Sequence, residues 1–396
     1  MEMTEFINQY GVERKQTNSL KWDALDVRYG DPDLIAMWVA DMEFKVPEAV
    51  QEALHQRVEH GVFGYSYTPD SYYEAFFAWQ KKRHNIDLEK EWVRFSPGVV
   101  SALYWFVNIF TKENDSVMIQ SPVYYPFHNA VLDNNRRLVR SELVNTNGHY
   151  TMDLADFEKK VVEEKVKLFI LCSPHNPAGR VWSEEELIKV LDICQKHDVL
   201  VVSDEIHQDI ILGDNEFVSS LNVGNGKYQD NLIVCTAPSK TFNLACLLNS
   251  HIIIPNEDIR NAFDLGSKKI NQCETSIMGQ IATEAAYRHG EEWLDSLLEV
   301  IEHNFNYLKK ELNEHAPKAV VTQLEGTYLA WVDLRNYVEP KEIKGFIQDK
   351  CRLAIDFGEW FSDECQGFVR LNMATNPKFV EKGVQNMIAE LQKIDG

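Results

Sequence analysis

The stretch "VCTAPSKTFNLA", residues 234–245, places a lysine directly behind an apolar run. That run, residues 231–236, predicts a buried strand, because short continuous apolar runs are typical of strands covered on both faces. Ser239 and Lys240 follow the run at once. A lysine at the end of a core strand either extends its ammonium group to water or is held in place for chemistry.

Four more apolar runs of this kind predict four more buried strands. Between two of them, residues 183–197 show apolar residues at helical spacing behind Ser183 and Glu186, the two residues of a capping box. Strand–helix–strand units in series predict an α/β fold, with a mainly parallel sheet between layers of helices. The four runs are residues 116–121, 167–173, 199–204 and 250–255.

The C-terminal part of the chain has a different pattern. Residues 276–314 form a long amphipathic helical region, followed by strand-like runs at 327–334 and 367–375 and by a final helix. This α+β pattern predicts a smaller domain, joined by the N-terminal arm. The predicted division is an arm with part of the small domain in residues 1–45, a large domain in residues 46–285 and the small C-terminal domain in residues 286–396.

Composition limits the range of functions. The 396 residues are 44% hydrophobic and 11% aromatic, as in folded proteins. The net charge of −21 opposes binding to nucleic acids and to anionic membranes, so we predict neither as a partner. No signal peptide and no apolar run of membrane length occurs, which predicts a cytoplasmic protein. The 7 cysteines form no C-x-x-C pair and no H-E-x-x-H occurs, so we predict no disulfide framework and no metal site.

Chemically active side chains stand at or just beyond the ends of the predicted strands. Each has an ordinary structural explanation: a turn for asparagine followed by proline, a helix cap for aspartate, a solvated lysine or a packed tyrosine. Ligands bind at the carboxyl ends of the strands in open α/β sheets, so the accumulation of these residues at one edge favours a functional site. The residues are Tyr124, Asn176, Asp204, His207 and Lys240.

Together these residues fit the chemistry of pyridoxal phosphate. A partly desolvated lysine such as Lys240 can form a Schiff base with the aldehyde of this cofactor. The cofactor also needs an acidic partner for its ring nitrogen, and Asp204 can supply it. Asn176 and His207 can hydrogen-bond the phenolic oxygen, while Tyr124 can stack on the ring.

Several segments resemble known enzymes. The segments "SPHNPAGRVW", "SDEIHQDI", "APSKTFNLA" and "FVRLNMA" are similar to those of the fold-type-I pyridoxal phosphate enzymes, the class I/II aminotransferase superfamily. Nearer the N-terminus, "TNSLKWD" and "MWVADMEFKVPEAV" resemble the cystathionine β-lyase-like C–S lyases of that superfamily, the MalY/PatB type. The resemblance implies a large domain that binds pyridoxal phosphate, with a mainly parallel seven-stranded sheet sandwiched by helices, and a smaller α+β C-terminal domain.

The resemblance also implies a role for each candidate residue. Lys240 takes the Schiff-base position, Asp204 the ring-nitrogen position and Asn176 the phenolic-oxygen position. Tyr124 matches the stacking aromatic residue, and His207 stands where many relatives have a tyrosine. The implied catalytic residues are Lys240, Asp204 and Tyr124.

Two further residues are implied to bind away from the cofactor ring. Arg370 in "FVRLN" matches the arginine that grips the substrate α-carboxylate, a task that suits a bidentate guanidinium. Tyr65 matches a tyrosine that crosses a dimer interface to the phosphate in the neighbouring subunit. Substrate binding is thus assigned to Arg370, Asn176 and Tyr65, and the implied active unit is a homodimer with a shared active site.

The cofactor phosphate has a candidate site at a helix that begins near Gly98, whose free backbone N–H groups and positive dipole end suit an anion. Many aminotransferases also bind the phosphate through an arginine eight residues after the lysine, but this chain has Leu248 there. Cys246 stands where the lyase relatives usually have glycine, and we predict that it fills a small gap as a buried thiol. Phosphate binding is predicted to depend on the neighbouring subunit, on Ser239 and on the amides of Gly98, Val99 and Val100.

The resemblance favours one reaction among those that the cofactor supports. It implies β-elimination from cystathionine and other cysteine S-conjugates, which yields pyruvate, ammonia and a thiol (homocysteine from cystathionine). An aminotransferase of an α-amino acid is an alternative, and it would require a keto-acid acceptor. A pyridoxal phosphate-binding regulatory protein is a second alternative, but retention of the lysine, the aspartate and the arginine favours an enzyme.

Overall fold

The computed structural model describes residues 1–270 and 275–395. Its central feature is a seven-stranded sheet in which five neighbouring strands run parallel. The strand Ser250–Ile253 is antiparallel to both of its neighbours. The prediction of a mainly parallel sheet of seven strands is confirmed. In order across the sheet, the strands are Val93–Ser96, Ser250–Ile253, Leu232–Thr236, Leu200–Asp204, Val166–Cys172, Ser116–Ser121 and Arg137–Glu142.

The five strands expected from apolar runs all belong to this sheet, and its two faces are covered by separate hydrophobic cores. The predicted capping box is also confirmed. Ser183 Oγ accepts a hydrogen bond from the Glu186 N–H at 3.2 Å, and Glu186 Oε2 accepts from the Ser183 N–H at 2.9 Å.

The longer helices in the described part of the chain are Met3–Tyr10, Glu48–His60, Asp70–His84, Val99–Phe110, Pro126–Leu132, Leu154–Glu163, Glu184–Lys196, Glu257–Ile270, Ile277–His289, Glu291–His315 and Pro377–Asp395. None of the described helices is long and apolar enough to cross a membrane.

A second, four-stranded sheet lies in the C-terminal part of the chain. The two predicted strands, Leu329–Asp333 and Phe368–Asn372, are antiparallel neighbours in it. Sequence reasoning missed the edge strands Val320–Val321 and Asp356–Phe357, because two residues are too few to show a period of two. The helical region expected over residues 276–314 is two helices that meet at Gly290.

The N-terminal residues are joined to this C-terminal part. Ile35–Ala36 pairs in parallel with Leu353–Ala354, and the helix Met3–Tyr10 packs against Glu291–His315. The boundaries of the three predicted segments, 1–45, 46–285 and 286–396, stay predictions.

Candidate active site

A cavity of about 290 Å³ lies at the carboxyl ends of the parallel strands. Its volume is just below the range of roughly 300–1,000 Å³ that small-molecule sites have. The loops that follow four strands meet here, because parallel strands end at the same edge of the sheet. The structure brings nine predicted residues together on the cavity wall: Gly98, Val99, Val100, Tyr124, Asn176, Asp204, His207, Ser239 and Lys240.

Lys240 stands on the short helix Pro238–Thr241, directly behind the strand Leu232–Thr236. Its Nζ donates a hydrogen bond to the backbone carbonyl of Ala40 at 2.8 Å, so the side chain points to the cavity and not to bulk water. Burial lowers the pKa of Lys240 to about 8, although the carboxylate of Asp41 opposes this shift. About a tenth of the amine is therefore neutral, and nucleophilic, at pH 7.

Asp204 is the last residue of its strand, and its Oδ1 accepts a hydrogen bond from the backbone N–H of Ile206 at 3.1 Å. Burial raises the pKa of this carboxyl to about 7. A cationic N–H group placed beside it would stabilise the carboxylate. The protonated ring nitrogen of pyridoxal phosphate is such a group, so the donor set fits the cofactor here.

His207 has a ring nitrogen, Nδ1, that is buried without a hydrogen-bond partner in the described part of the chain. Its ring packs edge-on against Tyr328, with 5.8 Å between ring centroids, and burial lowers its pKa well below the usual value. The imidazole is therefore neutral. A buried polar atom without a partner is costly, so this nitrogen is suited to a bound oxygen such as the cofactor phenolate.

The loops that carry Tyr124 and Asn176 are joined by a hydrogen bond from the Tyr124 N–H to the Asn176 carbonyl oxygen at 3.1 Å. Tyr124 is half-buried, and its ring lies 5.1 Å from that of Tyr125. Burial raises the pKa of the Tyr124 phenol, so it stays protonated. A backbone hydrogen bond thus joins the two loops that carry these side chains on the cavity wall.

The helix Val99–Phe110 begins at the cavity with Gly98 as its N-cap, and no side chain caps its free N–H groups. A Cβ atom at Gly98 would meet nothing within 4 Å, so the space in front of these groups is open. This cradle fits a phosphate. Leu248 lies on the same wall, at the position where many aminotransferases have an arginine for the phosphate.

The prediction for Cys246 is wrong. It is exposed rather than buried, because it lies in the short turn Ala245–Leu247 at the edge of the cavity and not beneath it. Its thiol fills no gap in the core.

Arg370 reaches the cavity through Asn176, since its Nη1 donates to Asn176 Oδ1 at 3.0 Å. The guanidinium is buried, and its Nη2 also donates to the Trp38 carbonyl at 3.2 Å. Asp356, in one of the missed edge strands, forms an ion pair with it. Nothing in the sequence around Asp356 indicated this partner, because the pairing arises between strands.

Tyr65 is the predicted site residue that the structure places away from the cavity. It is fully exposed, in a segment with Phe63 and Tyr67, and lines a separate surface depression near Phe95 and Gln280. Its role across a dimer interface stays a prediction.

Sequence reasoning did not predict that backbone carbonyls of the segment 38–42 form one side of the site. Ala40 accepts from Lys240 and from Tyr328, and Trp38 accepts from Arg370. The motifs "TNSLKWD" and "MWVADMEF" hold this segment in place, because the buried Lys21 pairs with Glu43 at 2.9 Å. The two motifs were visible in the sequence, but they do not indicate which distant residues the segment contacts.

Comparison with known proteins agrees with this geometry. The family model for aminotransferase class I and II matches residues 33–386. Cystathionine beta-lyase PatB of Bacillus subtilis is 37% identical over 96% of this chain and 98% of its own length.

Two solved structures are similar over almost the whole chain. Cystalysin from Treponema denticola, which contains a pyridoxal 5'-phosphate cofactor, has a TM-score of 0.93 and 34% identity, and the match covers 96% of this chain and 98% of that one. The PLP-bound C–S lyase from Staphylococcus hominis has a TM-score of 0.89 and 36% identity, with 96% of both chains covered. The chain therefore belongs to the aminotransferase class I and II family.

Proposed function

We propose that this protein is a pyridoxal phosphate-dependent carbon–sulfur lyase that cleaves cystathionine and other cysteine thioethers. The observation that carries the proposal is that Lys240, with a lowered pKa, and the buried Asp204 share one cavity wall. The similarity to a cystathionine β-lyase and to a C–S lyase over 96% of the chain supports this reaction within the family.

Each of these residues on the cavity wall binds a different part of the cofactor. Asp204 holds the ring nitrogen, His207 and Asn176 the phenolic oxygen, and Tyr124 the ring face. The Gly98 cradle and Ser239 hold the phosphate. When bound there, pyridoxal phosphate supplies an electron-withdrawing ring that stabilises negative charge at the Cα atom of an attached amino acid.

Lys240 moves the proton. Its neutral amine takes the proton from the substrate Cα, since the lowered pKa keeps part of the amine unprotonated at neutral pH. The Cβ–S bond then breaks, and the sulfur leaves with the electron pair and gains a proton. With one water consumed, R–S–CH₂–CH(NH₃⁺)–COO⁻ gives R–SH, pyruvate and NH₄⁺.

Arg370 orients the substrate by binding its α-carboxylate next to Asn176. The position beside the cavity wall supports this role, as does the burial of the guanidinium. A fixed carboxylate holds the Cα–H bond toward Lys240 and so lowers the entropic cost of proton transfer.

We further infer a cytoplasmic homodimer in which Tyr65 completes the neighbour's phosphate site. The exposed aromatic residues Phe63, Tyr65 and Tyr67 support a protein partner on this surface, because a cluster of exposed aromatic side chains is a mark of an interface. The cysteines in the described part of the chain are all unpaired, which is compatible with a reducing compartment.

The test is an assay of the purified protein with cystathionine or S-methylcysteine, in which pyruvate and free thiol are measured without any added keto acid. We expect the two products in equal amounts, and no pyruvate from Lys240→Ala. Turnover that begins only when 2-oxoglutarate is supplied would make the protein an aminotransferase and overturn the proposal.

A further inference from the structure

Arg28 is an exposed cation at the end of the helix Leu25–Tyr29. Its guanidinium lies 5.6 Å from the ring centroid of Trp38 and 4.9 Å from that of Trp360. Two aromatic faces hold the group in place without neutralising it. Within residues 1–270 and 275–395 we find no carboxylate paired with Arg28, so its charge is available to a ligand.

The residues that hold Arg28 also hold Arg370. The Trp38 carbonyl accepts a hydrogen bond from Arg370, and Phe361, next in the chain to Trp360, lies 4.9 Å from the Arg370 guanidinium. The two arginines therefore belong to one wall. Both act electrostatically on the same carboxyl, that of Asp356.

A row of aromatic rings leads from the cavity to Arg28. Tyr124 lines the cavity and packs against Tyr125 at 5.1 Å, and Tyr125 meets Trp360 edge-on at 6.5 Å. Such a row offers apolar surface to a thioether chain and ends at a positive charge. The proposed α-carboxylate site, Arg370, stands beside its start.

We propose that Arg28 binds an anionic group at the far end of the substrate side chain, so that the enzyme prefers cysteine thioethers with a distal carboxylate. This inference rests on the proposed C–S lyase function and names the substrate class within it. Cystathionine carries such a carboxylate, whereas S-alkyl cysteines do not. Arg28 is then a specificity-determining residue, and it takes no part in bond breaking.

Two substrates of the same shape test the proposal. S-(2-carboxyethyl)cysteine has a distal carboxylate, and S-(3-methylbutyl)cysteine replaces it with an uncharged branched end. Pyruvate release gives kcat/KM for each. For the wild-type protein we expect kcat/KM to be about tenfold higher for the charged substrate. Arg28→Gln should lose that preference and keep its kcat/KM for the uncharged substrate.

Two control variants separate charge from packing. Arg28→Lys keeps the charge and is expected to restore part of the preference. Arg335 also stacks on an aromatic ring, Phe368 at 4.5 Å, but it is paired with Asp333 and lies in another part of the small sheet. Arg335→Gln is expected to leave both rates unchanged.

The outcomes distinguish the two proposals. An equal loss on both substrates in Arg28→Gln would mean a structural role and overturn the inference, as would a normal protein without any preference. A preference that survives in Arg28→Gln overturns it as well. Pyruvate from neither substrate in the normal protein would instead overturn the proposed function, and the inference would fall with it.

Discussion

Arg370 and Asp356 form an ion pair in which the side chains are only 3% and 4% exposed. The two residues face each other across neighbouring strands of the small sheet. The arginine proposed to bind the substrate carboxylate therefore already has an anionic partner. Substrate binding has to share or displace that partner, which weakens the carboxylate site.

Asp356→Asn is expected to strengthen substrate binding at the expense of stability. The KM for S-methylcysteine should fall about tenfold, while the free energy of unfolding without substrate should drop by about 3 kcal/mol, since the buried guanidinium loses its counter-charge. Steady-state kinetics and urea denaturation measure the two effects. Asp333→Asn, which alters the partly exposed pair with Arg335 in the same sheet, serves as the control and should leave KM unchanged. A KM that rises in Asp356→Asn contradicts this account.

The lowered pKa of Lys240 predicts how the protein without cofactor captures pyridoxal phosphate. Only the neutral amine reacts with an aldehyde, so the rate should increase with pH and level off above about 8. Stopped-flow absorbance after mixing follows the reaction. Asp41→Asn removes an anion that raises the pKa of Lys240, so its midpoint should lie at lower pH. A rate that still climbs at pH 10 would show that the lysine is not desolvated.

Asp204→Asn is expected to stabilise the protein without cofactor at pH 8. Burial raises the pKa of this carboxyl to about 7, so the folded state binds the proton more tightly than the unfolded chain does. The contribution to stability is therefore present below about pH 4 and is lost as the pH rises through 7. Asparagine does not ionise, so Asp204→Asn should raise the free energy of unfolding by about 2–4 kcal/mol at pH 8 and leave it unchanged near pH 4.

The control variant, Asp209→Asn, is expected to change the stability in the opposite direction. Burial acts to raise the pKa of Asp209 too, but hydrogen bonds from His84, Thr241 and Trp79 lower it overall. Asp209→Asn should therefore destabilise the protein at pH 8. If Asp204→Asn also destabilises the protein at pH 8, burial of the Asp204 carboxylate is not unfavourable in the protein without cofactor.

Leu248→Arg is expected to tighten cofactor binding. Leu248 lies on the cavity wall at the position where many relatives have an arginine for the phosphate, and an added guanidinium there should lower the Kd for pyridoxal phosphate about tenfold. Leu265→Arg adds the same charge at an exposed position in the helix Glu257–Ile270 and should change little. Equal effects of both variants would indicate a general charge effect instead.

The proposed sharing of the active site between two chains can be tested by mixing impaired variants. Lys240→Ala and Tyr65→Ala are each expected to be impaired alone. Mixed dimers contain one site with both native residues, so unfolding and refolding the two variants together should recover up to about a quarter of the normal activity, since half of the dimers are mixed and each has one such site. No recovery would place Tyr65 outside the neighbour's site.

The fold was largely predictable because its decisive elements are long and periodic. Runs such as residues 167–173 and 231–236 recur as buried strands, and the Ser183 capping box marks a helix start. The edge strand Asp356–Phe357 was not predictable, since it exists only through pairing with residues that lie after it in the chain.

The site was predictable only where residues stand at or just beyond the ends of strands. Asp204 and Lys240 do so, and the parallel sheet brings them together. Asp356 and Arg28 owe their positions to contacts between distant elements, which local sequence does not encode. The role proposed for Tyr65 depends on a second chain, which no pattern within one chain can locate.

The segment 38–42 has a consequence for how the protein is made. Trp38 is synthesised early, yet the arginine that it holds lies 332 residues later in the chain. At typical rates of about 5–20 residues per second, the ribosome takes on the order of 20–60 s to deliver that partner. For most of that interval the segment 38–42 lacks these partners, because Tyr328, which donates to Ala40, also lies 288 residues after it. The segment therefore reaches these native contacts only late in translation.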